Sequence, residues 1–278
     1  MLDPTTKSDH APSAEALARF KDAQREGWAH FAPLEALTTP PAAELVRRAG
    51  PRAGQRVLDV ACGTGVVAVT AARLGARVTG LDLTPELLER ARENARIAGV
   101  DIEWHQGDVE QLPFADRTYD MVLSQFGHMF APRPDVAIAE MLRVLKPGGT
   151  IAFSTWPPEL CIGRLFALSG RYLPPPPPGV LPPHLWGDPN VVRERLGDKI
   201  TGLQFDRATM RVPALSPQHN RTAMEKTAGP ILKLVESLTA TDPARLESFR
   251  REFETTVADY LADNLVRQDF MITRATKT

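Results

Sequence analysis

Three aspartates near strand ends set the chemistry open to this chain. Asp59 sits inside an apolar run, Val57-Leu58-Asp59-Val60-Ala61, that leads straight into Cys62-Gly63-Thr64-Gly65. Asp82 closes the next apolar run, over 76–81, and Asp108 stands at the end of a third strand in Gly107-Asp108-Val109. Glycines let the backbone come close to a nucleotide-like ligand, and a carboxylate at the next strand end can hold a ribose diol. The acid ahead of the glycines discriminates between ligands. A carboxylate there repels a pyrophosphate but suits a ligand carrying an ammonium group and a sulfonium. Asp108 offers an acceptor for an exocyclic amine, and the Val109 N–H a donor for a ring nitrogen, as adenine requires.

These side chains need a scaffold that gathers strand ends at one edge. The pattern supplies it: strands over 56–61, 76–82, 102–106, 119–124 and 150–155 alternate with helices over 66–74, 85–98 and 135–145. Thr84 is placed as a helix N-cap with Pro85 at the first helical position. The run 119–124 is almost continuously apolar, as a parallel strand buried on both faces should be. The expected fold class is α/β, a doubly wound, Rossmann-like sheet with helices on both faces.

Ahead of this core, 13–32 reads as a helix carrying Leu17, Phe20, Trp28 and Phe31. Pro40-Pro41 is expected to open a second helix over 42–49, stopped by Gly50-Pro51. Residues 1–12 read as disordered. After Trp156 the regularity breaks at five consecutive prolines, 174–178, a stiff spacer that could also form part of a lid. A short helix over 191–196, a strand over 202–212, a mostly helical stretch over 221–260 and a last strand around Phe270-Met271-Ile272 follow. The organisation expected is a helical cap segment over 1–41, a ligand-binding core over 42–156, and a lid loop, helical insertion and last two strands of the same domain over 157–278.

Bulk properties narrow the partners. The chain has 278 residues, 43% of them hydrophobic and 24% charged, enough for a sizeable core. A net charge of -1 gives no reason to expect nucleic acid or an anionic membrane as partner. Two cysteines, Cys62 and Cys161, are too few for a disulfide framework or a Cys-rich zinc site. Cys62 in the glycine turn reads as a packing residue. No apolar run reaches membrane-spanning length and the N-terminus has no secretory pattern, so a cytoplasmic location is expected. The chain is expected to act as a monomer or homodimer on a small molecule.

Val57-Leu58-Asp59-Val60-Ala61-Cys62-Gly63-Thr64-Gly65, Gly80-Leu81-Asp82-Leu83-Thr84, Gly107-Asp108-Val109-Glu110-Gln111-Leu112-Pro113-Phe114, Tyr119-Asp120-Met121-Val122 and the run from Glu140 to Gly149 occur in this order and spacing. Together they resemble class I S-adenosylmethionine (SAM)-dependent methyltransferases, close to the methyltransferase type 11 group that includes ubiquinone/menaquinone-biosynthesis enzymes. The resemblance covers residues 42–156 and implies a seven-stranded, mostly parallel sheet with an antiparallel last strand under a helical, proline-rich cap. It implies SAM as cofactor, S-adenosylhomocysteine as product, and no metal. Asp59 would sit near the methionine ammonium, with Ala61, Gly63 and Gly65 at the close backbone approach. Asp82 would bind the ribose hydroxyls, Leu83 would pack on adenine, and Asp108 and Val109 would bind the adenine edge. Ser124 and Gln125 would lie beside the methionine part. Asp120 reads as structural or solvated, and Glu110 as a surface residue.

Methyl transfer from a sulfonium needs positioning more than covalent help, and a base only where the nucleophile starts protonated. His128, just after the fourth strand, is the candidate base, and His30 a weaker second. Trp28, Phe31, Phe126, Met129, Phe130, Trp156, Tyr172 and Trp186 suggest a small greasy pocket on the acceptor side. Two other readings stay open. Gly63-Thr64-Gly65-Val66-Val67-Ala68 also fits the dinucleotide fingerprint of an NAD(P)-dependent oxidoreductase, and a non-catalytic SAM-binding protein would look the same.

Overall fold

The computed structural model describes residues 13–278, so the disorder expected over 1–12 lies outside the described residues. Helix α1 (Ala14–Trp28) starts at Ser13, whose hydroxyl accepts the Ala16 N–H. After a short 3-10 turn comes α2 (Glu35–Ala49). The core then alternates: β1 (Arg56–Val60), α3 (Val66–Ala72), β2 (Arg77–Asp82), α4 (Pro85–Ala98), β3 (Ile102–Gln106), β4 (Tyr119–Gln125), α5 (Pro134–Val144) and β5 (Leu145–Thr155). The remainder holds α6 (Cys161–Tyr172), α7 (Pro189–Leu196), β6 (Ile200–Pro213), α8 (Pro217–Thr227), α9 (Gly229–Thr241), α10 (Pro243–Ala258), the two-residue β7 (Leu261–Ala262) and β8 (Leu265–Lys277).

The sheet runs β3-β2-β1-β4-β5-β8-β6, with β7 paired to β8 off this path. The five strands β3 to β5 are mutually parallel, and β8 lies antiparallel between β5 and β6. Strand order reverses between β1 and β4, the switch point where open α/β sheets form a ligand crevice. Val57, Leu58, Val60, Val122 and Leu123 are fully buried, which explains why these strands read as unbroken apolar runs.

Two local expectations need correction. The helix expected at 42 begins at Glu35 and passes through both prolines. Thr38 and Thr39 return their hydroxyls to carbonyls of the preceding turn, Thr38 to Glu35 at 3.1 Å and Thr39 to Glu35 at 2.7 Å, which keeps that turn bonded ahead of the missing amides. Thr84 does sit at the N-cap of α4, but its side chain does not cap; its own N–H is taken by Asp82 at 2.9 Å. Helices α8 to α10 follow β6 and precede β7 in the chain and pack beside α1 and α6, above the carboxyl ends of the strands. Among the described residues no helix is long and apolar enough to cross a membrane.

Candidate active site

A cavity of about 260 Å³ lies beyond the carboxyl ends of β1, β2 and β4. All three aspartates line it. Asp59 is fully buried in β1; its Oδ2 accepts the Ala68 N–H from α3 at 3.0 Å, and its Oδ1 has no partner among the described residues. Burial pushes its pKa well above the ordinary carboxylate value, and the nearby Asp82 adds to the rise. Asp82 ends β2 and splits its oxygens: Oδ2 accepts the Gly63 N–H at 2.8 Å and Oδ1 the Thr84 N–H at 2.9 Å. Burial raises its pKa too, opposed by those two amides. Each oxygen keeps a second lone pair, so a ribose diol can still be accepted.

Asp108 is held from two sides. Its Oδ1 accepts the Glu110 N–H at 2.8 Å and its Oδ2 meets Lys21 Nζ of α1 at 2.5 Å. Lys21 also reaches Glu110 at 2.6 Å, and Arg133 closes on Glu110 at 2.8 Å. Lys21, Gln24 and Trp28 therefore put α1 on the cavity wall.

The loops after β1 and β4 meet under strain. Ala61 (φ 51°) and Phe126 (φ 61°) both occupy the left-handed region that side chains disfavour, and both line the cavity. Gly127 makes this junction possible: a Cβ there would lie 2.6 Å from the Ala61 carbonyl oxygen. Phe126 stacks on Trp156 with centroids 4.1 Å apart and planes 12° apart. Trp28 packs on Phe130 at 4.7 Å and on Phe31 at 5.8 Å. Leu37, Ile162, Phe166, Met210, Val212 and Met224 complete an apolar half beyond the carboxylates.

Comparison with known proteins agrees with this geometry. A methyltransferase-domain family model matches residues 57–149. An uncharacterized protein of Mycobacterium tuberculosis strain H37Rv is 35% identical over 257 residues, 91% of this chain and 93% of that protein. A ubiquinone/menaquinone biosynthesis C-methyltransferase of Rubrivivax gelatinosus is 44% identical over 116 residues, 40% of this chain and 44% of that one. This chain belongs to the class I SAM-dependent methyltransferases. The crystal structure of a putative methyltransferase from Bacillus halodurans C-125 shares the fold, with a TM-score of 0.57 and 23% identity over 85% of this chain and 98% of that one.

Within this methyltransferase the expected cofactor residues separate into two groups. Asp59, Ala61, Gly63, Asp82, Leu83, Asp108, Val109 and Gln125 line the cavity. Gly65 and Ser124 do not. Gly65 (φ 80°) caps α3, and a Cβ on it would lie 2.7 Å from the Trp104 ring, so its smallness serves packing of helix on sheet. Ser124 is buried, donates to the Val60 carbonyl at 2.7 Å and accepts the His128 N–H at 3.3 Å, stitching β1 to the loop after β4.

The acceptor-side expectations divide likewise. Trp28, Phe31, Phe126 and Trp156 line the cavity; Met129, Tyr172 and Trp186 do not. Met129 and Trp186 are core residues, and Tyr172 donates to Glu252 at 2.5 Å against Phe249. The proline run that separates Tyr172 from Trp186 lies along a largely exposed path and contributes no cavity-lining residue. The base role expected for His128 is corrected by its placement. Its ring is fully buried between Phe153 and Trp186, each 4.7 Å away, and burial lowers its pKa to about 3. His30 is exposed and off the cavity. Glu110, expected at the surface, is buried as the hub of the Lys21 and Arg133 contacts. Cys62 lines the cavity with its thiol pKa pushed up by burial, in keeping with a packing role.

Sequence reasoning missed Lys21, Gly127, Asn220 and Gln268. Lys21 meets Asp108 across 87 residues of chain, and no local pattern marks that distance. Gly127 was visible as a glycine after a strand, a known sign of close backbone approach.

Proposed function

We propose that this cavity binds SAM along Asp59, Asp82 and Asp108 and delivers its methyl group to a small organic acceptor held in the apolar half. The observation that carries the reading is that three carboxylates from successive strand ends share one cavity with that apolar half. The partnerless Oδ1 of Asp59 fits an ammonium group, since a buried carboxylate oxygen without a donor is costly. The free lone pairs of Asp82 fit the ribose diol. Asp108 and the Val109 N–H fit the adenine edge. A dinucleotide reading is disfavoured because its pyrophosphate would be desolvated beside Asp59 and Asp82.

When bound, SAM supplies a methyl on a sulfonium whose sulfur leaves as a neutral thioether. The chain has to orient the acceptor and exclude water. The strained Ala61 and Phe126 fix the floor between the two halves, and Trp28, Phe130 and Phe166 shield it. Among the described residues lining the apolar half no side chain is a titratable base, so the acceptor must present an atom that is nucleophilic once positioned. Isothermal titration with S-adenosylhomocysteine tests the reading: binding in the micromolar range is expected, weakened by Asp59→Asn, and no heat with folded protein overturns it.

A further inference from the structure

The next inference rests on the methyltransferase reading and concerns what the acceptor is. Among the described residues on the cavity wall the charged side chains are Asp59, Asp82, Asp108 and Lys21, and Lys21 is engaged by Asp108 and Glu110. Polarity in the apolar half comes instead from carboxamides. Asn220 of α8 and Gln268 of β8 are each only 3% exposed, and both line the cavity among Met210, Val212 and Met224. Asn220 Oδ1 has no hydrogen-bond partner among the described residues. Gln125 adds a third amide at the end of β4. Its Nε2 donates to the Thr38 carbonyl at 2.8 Å, which leaves Oε1 as the acceptor, and Oε1 too has no partner among the described residues.

A buried polar atom left unbonded is costly. Two of them on residues of one cavity wall, in greasy surroundings, point to a ligand that completes them. A carboxamide donates and accepts without carrying charge, so it reads hydroxyl, carbonyl or amide groups. A charged group in the same place would lose its water and gain no counter-ion. The two aromatic clusters, Phe126 on Trp156 and Trp28 on Phe130, supply faces for a flat body.

We infer that the methyl acceptor is an uncharged aromatic molecule whose hydroxyl or carbonyl group is held by the Asn220 carboxamide, with Gln268 and Gln125 as further contacts. Phosphorylated, carboxylated and ammonium-bearing acceptors are rejected by the same wall. Asn220 is thereby the residue that determines acceptor class.

The test uses the full chain saturated with S-adenosylhomocysteine and three matched probes: 2-naphthol, 2-naphthoate and 2-naphthylmethylammonium, titrated calorimetrically at neutral pH. The naphthol is expected to bind about tenfold or more tighter than either charged analogue. Asn220→Leu is expected to weaken naphthol about tenfold with S-adenosylhomocysteine affinity kept, which also shows the variant is folded. Asn220→Asp is expected to shift preference toward the ammonium probe. Equal or tighter binding of a charged analogue to the wild type, naphthol affinity unchanged in Asn220→Leu, or no naphthol binding to the cofactor-product complex would overturn the inference. Failure of the wild type to bind S-adenosylhomocysteine at all is separately visible, and brings down the cofactor reading itself.

Discussion

Asp82 holds two backbone amides and still has room for two hydroxyls, so its loss should be felt twice. Asp82→Ala is expected to weaken S-adenosylhomocysteine binding by about 1–3 kcal/mol, through lost charge-assisted hydrogen bonds and a slackened Gly63 turn. Calorimetry checks it, and an unchanged dissociation constant would place the ribose elsewhere. His128 makes a prediction of a different kind. Its ring is neutral when folded, with a pKa near 3, and returns to about 6.5 when the chain unfolds. Above pH 6.5 neither state is charged and His128 is silent. As pH falls below 6.5 the unfolded chain takes up a proton that the folded chain refuses, so stability drops by about 1.4 kcal/mol per unit until the folded pKa is reached. Urea midpoints at pH 7 and pH 5 should therefore fall less for His128→Leu than for the wild type. Equal falls would show the ring is already solvated. The three aspartates were readable because each stands at or near the carboxyl end of a strand, at its own spacing. His128 was misread for the same reason: a strand end points at the crevice, but the 3-10 turn over His128–Phe130 folds the ring back under Trp186.

At the scale of elements, strands buried on both faces announce themselves: β1, β2 and β4 fall where largely apolar runs lie, whereas β5 starts at Leu145, five residues ahead of the apolar stretch expected at 150–155. Helix α2 hides its first turns because Pro40-Pro41 imitates a helix start; only the hydroxyls of Thr38 and Thr39 reveal that the turn before them stays bonded. The place of β8 between β5 and β6 has no local sign either, since it depends on pairing Thr150 with Thr276 across nearly half of the chain. The loops after β1 and β4 are legible only as glycines, yet they form the junction between the two halves of the cavity. Gly127→Ala should drive a methyl group into the Ala61 carbonyl and relax the positive φ of Ala61 or Phe126. A loss of about 1–3 kcal/mol in stability, with weaker S-adenosylhomocysteine binding, is expected from overpacking. A variant matching the wild type in both melting temperature and affinity would show that the two loops are free to separate.

For the whole molecule, the buried acids matter as a group. Asp59 and Asp82 are costly to bury as anions, and a cationic ligand should offset that cost, so cofactor binding and folding are coupled. S-adenosylhomocysteine at a hundred times its dissociation constant should stabilise the fold by about 2.7 kcal/mol, read as a melting shift of several degrees. Under the same conditions Asp59→Asn should shift less; an equal shift would detach Asp59 from the ligand. One further contact sets the height of the cavity's roof. Helix α1 carries Lys21, Gln24 and Trp28 over the cavity and rests on α9 where Gly27 meets Gly229, with no side chain between the two backbones. Bare main chain on bare main chain sets how low the roof sits: any bulk added at either glycine would push α1 off α9 and strain the contacts of Lys21 with Asp108 and Glu110 and of Gln24 with the Phe130 carbonyl.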